Sequence, residues 1–224
     1  MNSRVKREAK PETLSRLKQV ISLLKKYYPD AHCALDHENP DQLLVATILS
    51  AQCTDERVNI VTKSLFKKYP DLKAFAKADV NDLEVMVKST GFFRNKAKNI
   101  LACAQRIVNE FNGEIPKTMD VLREMPGVGR KTANVVLGNA FNIASGVVVD
   151  THVKRLSFRL GFTRSENPEI VERELNEFVP KTQWIMFPHW LISHGRAICK
   201  ARTPQCEICF LDELCPKRGV VLKN

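Results

Sequence analysis

Strand-like sequence is almost absent from this chain. Across 224 residues, Val147-Val148-Val149 is the single run that reads as a strand, and it is three residues long. A sheet-based fold is excluded on that ground, and an all-α architecture is expected. Also missing is any apolar run near the ~18 residues that a membrane span requires. Met1 to Lys10 is polar and basic with no apolar segment behind it, so it reads as a short disordered arm and not as a secretory signal. Disulfides are therefore unexpected, and for a bacterial source the expected location is cytoplasmic and nucleoid-associated. There is no internal repeat and no low-complexity segment. Acidic residues are the minority, 25 against 35 Lys and Arg, leaving a net charge of +10 and a pI near 9.3. That imbalance favours a polyanionic partner, most simply nucleic acid, with a merely soluble basic protein as the plainer alternative.

What is present is helical periodicity. Leu14, Leu17, Val20, Ile21 and Leu24 recur at helical spacing between Glu12 and Tyr28. A second apolar helix starts near Asp41 and ends in the small, polar stretch Ser50-Ala51-Gln52-Cys53-Thr54-Asp55, which suits a surface facing a groove. Asp55 is expected to cap the next helix, which Pro70 closes. A short helix over Asp82 to Lys88 leads to Gly91, read as a left-handed cap. The adjacent Phe92 and Phe93 cannot both be comfortably buried at such a turn. Further helices are expected over Lys96 to Phe111, from a Thr118 cap through Met125, after Lys131, from Asp150-Thr151 to Gly161, from Asn167-Pro168 to Phe178, and from Pro188 to the C-terminal cysteines. A chain of this length buries a core of useful size in one or two domains.

Two features carry chemistry. Pro126-Gly127-Val128-Gly129 joins two short helices, and successive amides running from such a turn into a helix N-terminus form an anion nest. An ordinary tight turn is the alternative reading. Lys131 follows in the first helical turn. A neutral lysine amine attacks a sugar carbon and forms a Schiff base. The helix dipole would lower its pKa and a nearby carboxylate would raise it. A phosphate-binding lysine is the simpler role. Asp150 is a natural partner: a carboxylate held by helix amides stays ionised and fixed in direction, so capping and catalysis are compatible.

Four of the seven cysteines cluster as Cys199-x6-Cys206-x2-Cys209-x5-Cys215. Thiolates at that density bind zinc or an iron–sulfur cluster, and the single close pair tilts the choice towards [4Fe–4S]. Lys200 and Arg202 in the first loop read as phosphate contacts or as solvated charges.

Leu-Ser-Ala-Gln at 49–52, Met-Pro-Gly-Val-Gly-Arg-Lys-Thr-Ala-Asn-Val-Val at 125–136, Val-Asp-Thr-His at 149–152, His-Gly-Arg at 194–196 and the cysteine spacing stand in one order from about residue 14 to 216. In these words the chain resembles the endonuclease III family of DNA glycosylases, within the helix-hairpin-helix glycosylase superfamily. The resemblance implies a two-domain helical fold. Residues 33–143 would form a six-helix domain with the hairpin, 144–224 a [4Fe–4S] domain joined by residues 1–32, and DNA would lie in the cleft. It implies a bifunctional glycosylase and abasic-site lyase, acting as a monomer on oxidised pyrimidines such as thymine glycol in double-stranded DNA. Lys131 matches the Schiff-base lysine, Asp150 the catalytic aspartate, and Cys199, Cys206, Cys209 and Cys215 the cluster ligands. Pro126, Gly127, Val128, Gly129 and Arg130 match the backbone-binding hairpin. Gln52 matches the residue that fills the gap left by a flipped base. Phe92 stands where the family usually has a leucine wedge, and Cys53 replaces a common alanine. An adenine-mismatch glycosylase would carry a glutamate where Thr47 stands and would lack Lys131. Glycosylases acting on thymine mismatches or pyrimidine dimers, and a non-catalytic hairpin module with structural zinc, are the other readings.

Overall fold

The structure, a computed structural model, describes residues 10–221. The arm expected over Met1 to Lys10 lies, up to residue 9, outside the described residues. Within them the chain forms eleven α-helices and short 3₁₀ turns: α1 (Lys10–Tyr27), α2 (Pro40–Leu49), α3 (Asp55–Lys68), α4 (Leu72–Ala76), α5 (Val80–Val87), α6 (Phe93–Glu110), α7 (Met119–Arg123), α8 (Arg130–Phe141), α9 (Thr151–Arg159), α10 (Pro168–Phe178) and α11 (Met186–Ala197). No described residue lies in a strand. Val147-Val148-Val149 has no partner segment to pair with, and the Val147 amide donates to Asn176 Oδ1 of α10 at 2.9 Å. No described helix is long and apolar enough to cross a membrane.

The chain divides into two compact units. One spans Cys33–Ser145 and is built around α2, whose residues Gln42 to Leu49 are all buried. A helix apolar all round is a central helix, and α3, α6 and α8 pack on it. Asn39 caps α2 by accepting from the Gln42 amide at 2.9 Å, and Pro40 occupies the first turn, where its missing N–H costs nothing. The other unit joins the described residues up to His32 with those from Gly146 onward. Here α11 packs against α9 and α1 around Leu17, Leu24, Leu156, Phe187 and Leu191.

Three local expectations are corrected. Thr54, not Asp55, caps α3: its backbone is extended and its hydroxyl accepts from the Arg57 amide at 3.3 Å. Asp55 is the first helical residue and places charge at the positive end of the dipole. Gly91 has φ 71° but ψ 155°, so it is not a left-handed cap; the left-handed residue is Phe92, at φ 46° and ψ 30°. A helix that the periodicity did not reveal, α4, is capped by Asp71, which accepts from the Ala74 amide at 2.8 Å. Thr118 precedes α7 in an extended conformation without a side-chain cap bond.

Candidate nucleic-acid interface and metal centre

The hairpin lies between α7 and α8. Met125 and Val128 are buried and pin it to the core, and the Val128 amide closes the turn on the Met125 carbonyl at 3.0 Å. The Val128 side chain therefore faces inward. The two glycines differ. Gly127 has φ 77°, and a Cβ there would lie 2.9 Å from Asn99 Cβ on α6. Gly129 is extended, at φ −85° and ψ 177°, caps α8, and has nothing within 4 Å of a would-be Cβ. Gly127 serves the turn's conformation, and Gly129 leaves open space before the helix N-terminus. The first-turn amides of α8 have no intrahelical acceptor and carry the positive end of the dipole, as anion binding requires. Gly127 and Gly129 are exposed, Pro126 and Arg130 half-buried, and Lys131 is exposed in the first turn.

Two other loops of the same unit hold residues singled out in the sequence. Gln52 and Phe92 are both exposed and both left-handed, at φ 54° and 46°. Phe92 is 64% exposed. The other non-glycine residues with positive φ among those described are two asparagines and a lysine. For glutamine and phenylalanine this conformation costs about 1–2 kcal/mol each, and strain of this kind gathers at working sites. Between these loops lies Lys96, 4% exposed. Its Nζ donates to the Leu49 carbonyl at 2.8 Å and to the Thr90 carbonyl at 2.7 Å. Burial pulls its pKa below the usual lysine value, with Cys53 opposing. The sequence offered Lys96 only as one more basic residue at a helix start. Thr47, which the resemblance sets at about the place of the mismatch enzymes' glutamate, is buried with its hydroxyl on the Leu43 carbonyl at 2.7 Å.

Lys131 and Asp150 belong to different units. Asp150 is half-buried and caps α9, its Oδ1 accepting from the Val153 amide at 2.7 Å. Two positions on, His152 Nδ1 lies 3.2 Å from Arg155 Nη2, which also donates to the carbonyls of Gly195 and Cys199 at 3.2 and 3.0 Å. Gly195 is what lets α11 approach: a Cβ there would lie 2.7 Å from His152 Nδ1. His189 is held down to about 4, first by burial and then by His32, with Asp150 opposing.

The four C-terminal cysteines border one cavity of about 30 Å³, along with Arg159, His194, Gln205, Asp212, Lys217 and apolar side chains. That exceeds the ~10–15 Å³ one water needs. Among the described residues, no group of three or more His, Cys, Asp or Glu converges closely enough to hold a single metal ion. Thiols spread around a cavity suit a multi-atom cluster better than one zinc ion. The surroundings fit as well. Arg159 Nη1 donates to Cys199 Sγ at 3.3 Å, the Leu211 and Lys217 amides donate to Cys209 and Cys215 Sγ at 3.4 Å, and His194 Nε2 lies 3.5 Å from Cys209 Sγ. Without a cation, burial pushes the Cys209 thiol up to about 11 against the Leu211 amide, and the other three thiolates add to the rise. Bound iron removes that penalty. Arg159 also holds the loop itself, through the Lys200 and Ala201 carbonyls at 2.8 and 2.7 Å, leaving Lys200 and Arg202 exposed. Arg155 and Arg159 stand four apart on one face of α9. That spacing was the available sign of their shared role, and composition alone did not single them out.

Residues 45–181 match the model of the HhH-GPD superfamily base excision DNA repair proteins, and residues 199–215 match the iron–sulfur binding domain of endonuclease III. The chain is 56% identical over 201 residues to the endonuclease III of Synechocystis, covering 90% of this chain and 92% of the relative. It is 46% identical to the Bacillus subtilis endonuclease III, over 92% of this chain and 98% of that one. A solved structure of a trapped endonuclease III–DNA covalent intermediate, an estranged-adenine complex, superposes with a TM-score of 0.85 at 44% identity, covering 91% of this chain and 96% of the other.

Proposed function

The chain belongs to the endonuclease III family of HhH-GPD base excision DNA repair proteins, and on that premise we propose that it excises oxidised pyrimidines such as thymine glycol and then nicks the strand. It acts as a DNA glycosylase and abasic-site lyase on double-stranded DNA, as a monomer. The hairpin amides from Gly127 to Arg130, with Pro126 and Val128 shaping the turn, grip the phosphate backbone, and Lys200 and Arg202 add contacts. Phe92 wedges the stack and Gln52 fills the space of the extruded nucleotide, whose unstacking costs a few kcal/mol.

The Val153 amide fixes the direction of the Asp150 carboxylate, so it stabilises the positive charge that grows on the sugar as the N-glycosidic bond breaks and the base leaves with the bonding electrons. Lys131 Nζ, in its neutral form, bonds to C1′ and becomes an imine after ring opening. Loss of a proton from C2′ then expels the 3′ phosphate by β-elimination. Cys199, Cys206, Cys209 and Cys215 hold the [4Fe–4S] cluster, which supplies a redox-capable cross-link that stiffens their loop.

The observation that carries this reading is the exposed Lys131 in the first turn of α8, directly on the phosphate-binding hairpin. An amine there stands beside the backbone of the nucleotide that it must attack. Borohydride trapping on a thymine-glycol duplex tests it. Wild type should give a covalent adduct, and Lys131→Ala should give none while keeping most of its DNA affinity. An adduct of undiminished yield from Lys131→Ala would show that another group is the nucleophile.

A further inference from the structure

Gln52 and Phe92 come from loops about 40 residues apart in sequence, yet one buried side chain touches the root of each. The Leu49 carbonyl, the last of α2, stands three positions before Gln52; the Thr90 carbonyl, the last of a 3₁₀ turn, stands two before Phe92. Helix-terminal carbonyls have no intrahelical donor. Here both take the same ammonium, at 2.8 and 2.7 Å. Lys96 is 4% exposed, so these bonds are shielded from solvent. Both loops then enter the left-handed region at a residue that disfavours it. A conformation of that kind persists only where its surroundings over-determine it. A charged donor bonded to two carbonyls is one such constraint.

We propose that Lys96 is a positioning residue for nucleotide extrusion, fixing the separation of Gln52 and Phe92 so that both enter the duplex in register. This rests on the roles given to those two residues above. An apolar filler would keep the volume and lose the tie. The loops would then splay separately, with Gln52 and Phe92 still present but not aligned to one base step.

The test compares two substrates in single-turnover excision: thymine glycol paired in a duplex, and thymine glycol in a bulge with no opposite base. The bulge needs neither a wedge nor a filler, because the stack is already open. Lys96→Met should lose on the order of 10- to 100-fold on the duplex, the scale of a misplacement of about 1 Å, and much less on the bulge. Equal losses on both would mean a general structural role and would overturn the proposal, as would an unchanged duplex rate. Lys96→Arg keeps the charge but replaces a compact ammonium with a planar fork whose donors point in fixed directions. It should show a smaller duplex-selective loss, and it carries the test by itself if Lys96→Met does not fold. Gln52→Ala and Phe92→Ala, run alongside, separate the two readings. If neither is duplex-selective, the loop assignment falls and the role of Lys96 falls with it. If both are and the Lys96 variants are not, the clamp alone is wrong.

Discussion

Replacing Gly127 by alanine should destabilise the unit that carries the hairpin, whereas the same change at Gly129 should not. At Gly127 the backbone has φ 77°, and a new methyl would lie 2.9 Å from Asn99 Cβ, where carbon contacts ordinarily begin near ~3.5 Å. The left-handed backbone costs about 1–2 kcal/mol and the overpacked contact about 1 kcal/mol or more, against about 0.4–1 kcal/mol gained by stiffening the unfolded chain. The net is a loss of about 2 kcal/mol. At Gly129, φ is −85° and nothing lies within 4 Å of a methyl. The same entropic gain then meets only the poorer capping of alanine, and the two cancel to within about 0.5 kcal/mol. Urea unfolding followed by far-UV circular dichroism measures both. Asn99→Gly in the Gly127→Ala background should return the contact part of the loss, less the few tenths of a kcal/mol that glycine costs inside α6, and not the backbone part. DNA affinity should behave differently, because the methyl at Gly129 stands in the space before the α8 amides. That variant should fold like wild type and bind duplex more weakly at every salt concentration. Equal stability losses at the two glycines would refute the division of labour between them.

Three further outcomes are expected. Asp150→Asn keeps an oxygen for the Val153 amide and should fold normally yet lose excision, whereas Asp150→Ala should also lose about 1 kcal/mol with the cap; normal turnover by Asp150→Asn would remove the charge from the mechanism. His189 sits at about 4, below the 6.5 of the free side chain, so the unfolded chain takes up the proton first. Its share of the stability should be complete above pH 6.5 and be lost, on the order of 3 kcal/mol, as the pH drops through 4; burial holds His194 down to about 4 as well, so in pH-dependent thermal melts His189→Gln should reduce the slope by one histidine's share and leave the other. Oxidative removal of the cluster should expose amides of residues 199–215 and of α11, whose His194 lies against Cys209, to hydrogen exchange, while α2 keeps its protection.

Much of the fold was legible one-dimensionally. Leu17, Val20, Ile21 and Leu24 proclaim the buried face of α1, and Asn167-Pro168 proclaims the start of α10, because helical spacing and capping depend on neighbours a few residues away. The same locality misled at Val147-Val148-Val149, where β-branched residues suggest a strand but a strand exists only if another segment pairs with it. Capping also failed where two candidates adjoin: Thr54 and Asp55 are both good N-caps, and the backbone dihedral decides between them.

The candidate site divides in the same way. Residue types and spacing by themselves determined that the chain is helical and basic, that Pro126 to Lys131 forms a turn leading into a helix, and that four thiols lie close enough to share a metal group. Tertiary structure alone decided which glycine is conformationally required, that Val128 turns inward, that Arg155 and Arg159 hold the cysteine loop, and that Lys96 is a buried tie between two loops. The physical reason is that a lysine's chemistry is fixed by its type but its role by what surrounds its ammonium. Lys131 and Lys96 both stand near the start of a helix. One is exposed at a helix start and the other is enclosed by two carbonyls.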